Sequence, residues 1–514
     1  MLYVSLAIEI LRGRPLLVFW AAALAQAALW TLVPTLFYAA PPGDLPQVLA
    51  IGREFPLGTD RGPPLAFWLA EIAFRLTGRS AFGLYALSQA CIVVTYWAVF
   101  ALGRDIVGPR HAALAVLLMV GITAFTVPTP DFGPAILAMP IWALVLLHYW
   151  RAVGQGRPRY WFVLAFEIGL LLLTTYLGLL LFALLILFTL ATEQGRAAFG
   201  SLEPWVAGVV VIVVVFPHLM WLDQAKGVAL PGLQQLHANA AGDNFVAWAR
   251  LLGGLLISHV GLVILVALAS LRGGSRGTQA PAIVRAPVEP FARKFVYAFA
   301  LAPALTATLL GVALGRPGSL ASAGPLVVLS GLGVIVAAGD SIRVYHQRVI
   351  SFAWGALLLA PPCLVAAALL ALPWAYPIDL EVTLPATEMG QYFSDTFQRR
   401  TGKPLAIVAG EPHTAALIAF AAPSRPSLFL DATPERSPWV TTADIADKGA
   451  IIVWPATDTL GTPPPAIKAR FPDLAIEQPR GFPRPVQGLL PLVRIGWAVI
   501  RPKGGSTTAV VPSR

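Results

Sequence analysis

Cysteine and charge are both scarce in this sequence. Its 514 residues include two cysteines, Cys91 and Cys363, and both fall inside apolar runs. So few cysteines predict neither a disulfide framework nor a zinc motif, and in apolar surroundings they act as small hydrophobic residues. Charged residues make up only 12% of the chain, which is about half the share found in soluble domains. This scarcity argues against a soluble globular protein.

Other absences narrow the class of function. No basic stripe alternates with exposed aromatic residues, so the net charge of +10 does not indicate nucleic-acid binding. No nucleotide-binding motif is present. Asparagine occurs only as Asn239 and Asn244, neither of which starts a glycosylation sequon, and arginine far outnumbers lysine (30 to 6). These features favour a bacterial inner membrane over an endoplasmic reticulum.

Apolar residues are abundant. They make up 57% of the chain, and the mean hydropathy is +0.73. Eleven apolar runs are long enough, singly or as short pairs, to cross a hydrocarbon core of about 30 Å. They lie near 16–38, 83–103, 111–128, 132–149, 160–175, 177–192, 205–222, 251–271, 295–315, 324–339 and 350–372. We therefore predict a polytopic helical membrane protein with about 11 transmembrane helices.

Basic residues set the predicted orientation. If the N-terminus is cytoplasmic, fifteen Lys and Arg residues fall in inner loops and seven in outer loops, as the positive-inside rule requires. The run from Trp161 to Leu190 has basic residues at both ends, so we expect it to cross twice as two short helices, turning near 174–178. The loop after the first span then faces outward.

The texture of the chain changes near Tyr376. Short apolar segments near 405–409, 427–430, 450–454 and 496–500 read as strands, with helices at 389–400, 413–421 and 465–471 between them. This alternation predicts a small α/β domain with a partly parallel sheet. We expect a membrane domain over 1–375 with its first outer loop at 39–82, a periplasmic α/β domain over 376–502, and a disordered tail over 503–514.

Asp44 is the first candidate site residue. It follows the first span, within the sequence Pro41-Pro42-Gly43-Asp44. A Pro-Pro-Gly-Asp sequence also suits a simple solvated turn, which is the alternative interpretation. Asp131 is the second candidate, in a three-proline turn between the third and fourth spans. Its alternative role is to cap the N-terminus of the fourth span, and the two roles are compatible.

The segment Pro64 to Gly78 is amphipathic. Apolar residues fall on one helical face, while Glu71 and Arg75 form an i,i+4 pair on another. Such a helix lies in the membrane interface, where it could support a lipid-linked substrate or act only as a connector. Within the spans, Glu167 is expected to be functional or paired. His218 and His259 are expected to be satisfied core residues, and Gly331 and Gly333 to serve helix packing.

Taken together, these features resemble glycosyltransferase family 39, the GT-C-fold group that includes protein O-mannosyltransferases and aminoarabinose transferases. The resemblance covers most of residues 10–370. It rests on an acid after the first span, a Pro-Pro-Leu-aromatic interfacial helix, an Asp between spans three and four, a short hairpin opening with Trp161, and an outer domain after the last span.

The resemblance implies roles for individual residues. Asp44 matches the catalytic acid of the family and Asp131 its second acid. The family often has Asp-Glu at the first position, whereas Leu45 follows here, and an acidic-Lys-Pro-Pro sequence where this chain has Asp60-Arg61-Gly62-Pro63-Pro64. Arg61, with Arg53 in reserve, is therefore the expected contact for the donor phosphate. Glu54 and Asp60 are expected near the acceptor or behind the site, and no cofactor or divalent metal is expected.

The expected function is transfer of a sugar from a polyprenyl-phosphate-linked donor to an envelope acceptor (lipid A, a glycan, a lipid or a protein) on the periplasmic side. Outside the cytoplasm no nucleotide sugar is available, which fits the missing nucleotide motif. The expected partners are this donor, membrane lipids and the acceptor. Two alternatives remain open: a non-catalytic scaffold of the same fold, and a lipid-linked sugar transporter, although no internal repeat typical of transporters is found.

Overall fold

The computed structural model describes residues 9–225, 241–271, 282–314, 320–430, 436–456 and 458–503. Except for Lys503, the tail predicted to be disordered lies outside these residues. The α-helices of the first part of the chain are α1 (Pro15–Phe37), α2 (Leu45–Gly52), α3 (Leu65–Leu76), α4 (Ala81–Val107), α5 (Pro109–Met119), α6 (Pro134–Tyr149), α7 (Tyr160–Leu172), α8 (Gly178–Ala191), α9 (Glu193–Phe199), α10 (Glu203–Gln224), α11 (Ala241–Ser258), α12 (Val260–Ser270), α13 (Pro290–Leu314), α14 (Ser330–Ala337) and α15 (Gln347–Ala375). A two-stranded antiparallel sheet of β1 (Ala282–Val284) and β2 (Ser341–Arg343) interrupts them.

Several of these helices suit a membrane. Among the described residues, five helices are long and apolar enough to cross one, and seven if each of two bent pairs counts as a single span. The bent pairs are α8–α9, with an angle of 101°, and the end of α11 with α12, with an angle of 45°. The predicted polytopic helical membrane fold is confirmed. The number of eleven spans stays a prediction, because helices such as α5 and α7 are short for a span.

Burial separates the inner helices from the outer ones. In the most apolar stretch of α6 and its continuation to Gly154, 89% of the residues are buried, against 22% in α10 and 17% in α15. All three are strongly apolar. A helix that is apolar all round but exposed has no counterpart in water-soluble folds and is typical of a lipid-facing span.

Small residues allow close helix packing. A Cβ atom at Gly121 would lie 2.6 Å from the backbone nitrogen of Leu262, and that nitrogen donates a hydrogen bond of 3.0 Å to the Gly121 carbonyl. A Cβ at Gly331 would lie 2.3 Å from the Ala115 carbonyl oxygen. The packing role predicted for Gly331 therefore agrees with its surroundings. Two short helices, α7 and α8, also form where the double crossing near 174–178 was predicted.

The chain divides into two compact units. Unit 1 contains residues 1–36, 61–66 and 73–365, and unit 2 contains 37–60, 67–72 and 366–514. Unit 2 thus includes much of the predicted first outer loop, whereas the predicted boundary lies at residue 375. Backbone hydrogen bonds explain part of this grouping, because the amides of Ala39 and Ala40 donate to the Val382 carbonyl at 2.9 and 3.1 Å.

Unit 2 is built around a five-stranded sheet in the order β4-β3-β5-β7-β6. Strands β3, β4 and β5 are parallel, while β7 runs antiparallel to β5 and β6 antiparallel to β7. The elements are α16 (Ala386–Thr401), β3 (Ile407–Gly410), α17 (Pro412–Ala421), β4 (Ser427–Leu430), α18 (Thr442–Lys448), β5 (Ala450–Pro455), α19 (Pro465–Arg470), β6 (Ile476–Phe482) and β7 (Val493–Ile500). One core cluster includes Phe429, Ile452 and Trp454.

The four predicted strands and three predicted helices of this domain are present. Strand β6 and helix α18 were not predicted. Strand β6 reads Ile-Glu-Gln-Pro-Arg-Gly-Phe and lies at the sheet edge with most of its residues at least partly exposed, so it lacks an apolar run and contains residues that usually break strands. Helix α18 has only seven residues, too few for a clear helical period.

Candidate functional site

Asp44 lies in a turn at the start of α2, in unit 2. Gly43 has φ 53°, a left-handed conformation that glycine adopts without strain. Asp44 is the N-cap residue of α2, but its side chain makes no capping hydrogen bond to that helix. The residue is exposed. The turn expected in the alternative interpretation is therefore present, but the Asp44 carboxylate does not cap α2.

The helix behind Asp44 is held firmly. All eight residues of α2 are buried, and the helix packs against α17. A Cβ at Gly52 would lie 2.2 Å from the carbonyl oxygen of Phe67 in α3, so these two helices approach at backbone distance. The backbone that carries the exposed Asp44 is therefore held in place by a fully buried helix.

Arg53 lies at the other end of α2 from Asp44. The eight residues of α2 separate the two backbones by about 14 Å along the axis. The Arg53 side chain faces a cavity of about 270 Å³ in unit 2, whose lining also includes Ser424, Trp439 and Lys448. Its Nη1 atom is buried and has no hydrogen-bond partner among the described residues.

Glu54 and Asp60 contact the C-terminal part of unit 2. The Ser427 hydroxyl donates to Glu54 Oε1 at 2.8 Å, and Arg436 Nε donates to Asp60 Oδ2 at 2.7 Å. The side chain of Asp60 is only 11% exposed, so that ion pair is partly shielded from water. Both acids thus join the first outer loop to the α/β domain, and their predicted role near an acceptor stays a prediction.

Arg61 is exposed and belongs to unit 1. It precedes Gly62, which has φ 133°, and Pro64, the N-cap residue of α3. The Leu65 amide donates a hydrogen bond of 2.9 Å to the Leu173 carbonyl at the end of α7. This bond fixes the start of α3 against the turn between α7 and α8, four residues after Arg61.

Asp131 lies in the turn before α6, also in unit 1. Its amide donates to the Pro128 carbonyl at 3.2 Å, and the neighbouring Thr129 hydroxyl accepts a bond of 2.8 Å from Gln89 Nε2 in α4. The N-cap of α6 is Gly133, with no side-chain capping bond. Asp131 is therefore not the N-cap residue itself but lies two residues before it.

The amphipathic helix forms as α3, with Ile72 and Leu76 exposed. Glu71 of this helix is buried and forms an ion pair with Arg425 of unit 2, with a distance of 2.9 Å. Neither this partner nor Arg436, the ion-pair partner of Asp60, was predicted from the sequence. No local sequence pattern marks Arg425 or Arg436 as an ion-pair partner. Each lies more than 350 positions from its acid, so only the tertiary structure shows the pairing.

The ionisable residues inside the spans have structural partners. Glu167 pairs with His148 Nδ1 at 2.7 Å, and the His259 ring bonds to the Leu255 carbonyl at 2.7 Å. His218 stacks on Trp221 and lies 3.3 Å from the Tyr176 hydroxyl. In the part of the chain that the structure describes, no three His, Cys, Asp or Glu residues cluster as a metal site would require.

Comparisons with known proteins point in one direction. A family model for dolichyl-phosphate-mannose-protein mannosyltransferases matches residues 61–221, which contain Arg61 and Asp131. The structure of ArnT from Cupriavidus metallidurans bound to undecaprenyl phosphate matches over 97% of this chain and 99% of its own, at 15% identity and a TM-score of 0.56. No curated protein matches the sequence.

Two further solved structures are similar to this chain. ArnT from the same organism in the apo state matches at 14% identity and a TM-score of 0.48, over 94% of this chain and 97% of that one. The oligosaccharyltransferase of Archaeoglobus fulgidus in the apo form matches at 13% identity and a TM-score of 0.45, over 87% and 70%. The chain has the GT-C fold of ArnT, and the predicted resemblance to glycosyltransferase family 39 is confirmed.

Proposed function

We propose that this chain is a membrane glycosyltransferase that transfers a sugar from a polyprenyl-phosphate-linked donor to an envelope acceptor on the periplasmic side of a bacterial inner membrane. The observation that carries the proposal is the family-model match over residues 61–221. The fold, shared with ArnT over nearly the whole chain, supports it. The sugar and the acceptor, whether lipid A, a glycan, a lipid or a protein, are to be identified from the product that a deletion strain lacks.

The reaction needs few groups. An acceptor hydroxyl oxygen forms a bond to the anomeric carbon of the donor sugar while the bond between that carbon and the phosphate oxygen breaks. Polyprenyl phosphate leaves, and the hydroxyl proton goes to a carboxylate. Asp44 is the proposed general base, because it is exposed at the start of a buried helix and matches the catalytic acid of the family that the chain resembles.

The other candidate residues take supporting roles in the proposal. The leaving phosphate needs a cation, and Arg61 is the first choice because guanidinium pairs bidentately with phosphate oxygens. Asp131 would orient the acceptor. Arg53, the second expected phosphate contact, lies at the opposite end of α2 from Asp44. We propose no cofactor and no divalent metal.

The test is the Asp44→Asn variant, because asparagine keeps the shape of the side chain but cannot take the proton. A deletion strain is complemented with wild type, Asp44→Asn or the control Asp473→Asn. The control changes an exposed acid in the loop between α19 and β6. Envelope lipids and glycans are profiled by mass spectrometry. The product that disappears on deletion should return with wild type and Asp473→Asn, and fall by at least about 100-fold with Asp44→Asn.

Protein level and the thermal unfolding midpoint of each variant are measured in parallel, so that loss of product is separated from loss of protein. A full product level with Asp44→Asn contradicts the proposed role of Asp44. A deletion strain with an unchanged glycan profile contradicts the enzyme and favours the scaffold. A deletion strain that accumulates an unused lipid-linked sugar on the cytoplasmic side favours the transporter.

A further inference from the structure

The cavity beside Arg53 is a separate feature of unit 2. It lies at the amino ends of β3 and β4, where residues 404–407 and Ser427 form one wall. Trp439 and Lys448 contribute from the segment that leads into and through α18. All of its lining residues belong to unit 2, so it does not depend on the arrangement of the two units.

Two of the residues that line this cavity carry a buried polar atom without a partner among the described residues. Arg53 Nη1 and Ser424 Oγ are both buried, and neither has a hydrogen-bond partner among the described residues. Buried polar groups in folded proteins are nearly always bonded, so each exception requires an explanation. A guanidinium N–H and a hydroxyl on one small cavity are both donors, and a ligand with acceptor oxygens would satisfy both.

The charge of the lining favours an anion. Its titratable residues are Arg53, Lys448 and Asp444. Lys448 Nζ donates to Asp444 Oδ1 at 2.6 Å, and Thr441 bonds to the other carboxylate oxygen at 2.6 Å. The single carboxylate of the lining is thus already bonded on both oxygens, and Glu54, outside the lining, accepts a hydrogen bond of 2.8 Å from the Ser427 hydroxyl. The lining residues themselves carry one more positive than negative charge.

Backbone conformation supports a built site. In the described part of the chain, three non-glycine residues have positive φ, and two of them are close in sequence to lining residues: Phe55 (46°), two residues after Arg53, and Arg425 (51°), directly after Ser424. The Arg425 conformation is held by its ion pair with Glu71 and by its amide bond to the Ala422 carbonyl. Strained backbone of this kind persists where the surrounding structure fixes it, and it concentrates at functional sites.

Size and shape indicate the class of ligand. A cavity of about 270 Å³ is slightly smaller than those that hold drug-sized molecules, so it suits one charged sugar or one headgroup. The Trp439 ring lines it, with its indole N–H already donated to the Leu428 carbonyl at 2.9 Å. The ring therefore offers an aromatic surface, such as stacks on the apolar side of a sugar, next to the cation.

We propose that this cavity is a binding site for a phosphorylated or otherwise anionic sugar, with the guanidinium of Arg53 and the hydroxyl of Ser424 binding its anionic group and Trp439 its ring. The site is distinct from the proposed catalytic residue Asp44 and does not rest on the transfer reaction. The same anionic group could arrive on a soluble sugar phosphate or on a lipid headgroup.

The experiment uses purified full-length protein and radiolabelled glucose 1-phosphate in equilibrium dialysis. Wild type should show saturable binding that inorganic phosphate displaces and glucose does not. Arg53→Gln should weaken binding by about 10- to 100-fold, as expected for loss of a charge-assisted hydrogen bond. Ser424→Ala should weaken it several-fold, and Arg470→Gln, an exposed arginine on α19 away from the cavity, should bind as wild type.

Stability measurements separate binding from folding. Because Arg53 Nη1 and Ser424 Oγ bond to no described residue, both variants should unfold at or above the wild-type midpoint when no ligand is present. Absence of saturable binding in wild type, or wild-type affinity in both variants, overturns the proposal. Weaker binding only in variants with a lowered midpoint also overturns it, because that result assigns the two residues to the fold. Asp44→Asn should retain binding, so failure of the transfer proposal is distinguishable.

The source of the anion is resolved in nanodiscs. If the natural ligand is a lipid headgroup, nanodiscs containing phosphatidylglycerol should reduce glucose 1-phosphate binding relative to nanodiscs of phosphatidylcholine alone. Equal affinity in both supports a soluble sugar phosphate. Phosphatidylglycerol should also reduce glucose 1-phosphate binding to the Arg470→Gln control. If it does not reduce the residual binding of Arg53→Gln, the lipid effect is assigned to the Arg53 site.

Discussion

The ion pair of Glu71 and Arg425 shows how single residues stabilise unit 2. The side chains are 3% and 11% exposed, and their atoms are 2.9 Å apart. Removing one member of a buried pair leaves the other charge desolvated and uncompensated, which costs far more than the pair contributes when intact. The pair also joins α3 to the loop at Arg425, which has φ 51°.

We predict that Glu71→Gln lowers the free energy of unfolding by about 3 kcal/mol, because it leaves the Arg425 charge buried without its carboxylate. The measurement is the midpoint of thermal unfolding of the purified protein. Glu388→Gln, which changes an exposed acid in the first turn of α16, is the matched control and should change stability by less than about 1 kcal/mol. Equal midpoints for the two variants would contradict the prediction.

At the scale of elements, α2 and α18 are held by different means. Helix α2 has no side-chain cap and depends on burial of all its residues and on its close approach to α3. Helix α18 has seven residues and depends on its cap. The Thr441 hydroxyl accepts from the Asp444 amide while the Asp444 carboxylate accepts from the Thr441 amide, a reciprocal capping box.

Gly52→Ala should destabilise the protein, because the added Cβ would meet the Phe67 carbonyl at 2.2 Å and force α2 and α3 apart. We expect a loss of about 1–3 kcal/mol, as for other overpacked sites. Gly208→Ala in α10 is the control, because no atom lies within 4 Å of the added methyl group. Alanine is the better helix former, so this variant should match or exceed wild type. A thermal midpoint for Gly52→Ala at or above that of wild type would refute the steric argument.

The cap of α18 should be sensitive to acid. Hydrogen bonds from Lys448 and Thr441 lower the pKa of Asp444 from its ordinary value of 3.8 to about 2. Because the folded pKa is the lower one, the stabilisation is complete above about pH 4 and is lost as the pH falls towards 2. Hydrogen exchange of residues 441–449, corrected for the intrinsic rate, should show protection that declines in this window. Asp444→Asn should lack that decline, and a decline identical to wild type would rule out Asp444 as its cause.

At the scale of the whole molecule, one chain contains both an α/β domain and helices with exposed apolar surfaces. Helices α10 and α15 present apolar side chains over most of their surface, for example Val213 with 66% exposure and Phe352 with 80%. Such surface is stable in lipid and aggregates in water. The bias of basic residues then predicts which ends of these helices face the cytoplasm.

Cysteine labelling tests that orientation. In a Cys91→Ser, Cys363→Ser background, Asp473→Cys should react with a membrane-impermeant maleimide in cells whose outer membrane has been removed and whose inner membrane is intact. Arg157→Cys, in a loop predicted to be cytoplasmic, should react only after the membrane is opened. Both original residues are exposed, so accessibility to solvent is matched. The reverse pattern would place the α/β domain in the cytoplasm and remove the basis for a lipid-linked donor at its side of the membrane.

Local patterns allowed much of the fold to be predicted. The apolar runs, the turn between α7 and α8, the helix that begins at Leu65 and the three parallel strands all depend on hydrophobic periodicity and turn residues within a short window. The candidate acids were found in the same way, since Asp44 and Asp131 stand out as charges in proline-rich turns between apolar runs. Edge strand β6 escaped this approach because its stability comes from pairing with β7 rather than from its own composition.

The sequence by itself determined that this protein is a polytopic membrane protein with a small α/β part, because burial of apolar surface in lipid or in a sheet is written in local composition. Only the tertiary structure decided what its first outer loop contacts. Glu71 meets Arg425 across 354 positions, and Glu54 meets Ser427 across 373. The cavity beside Arg53 arises in the same way, because hydrogen bonds and charge pairs between distant residues depend on where the chain returns, and no short stretch of sequence contains that information.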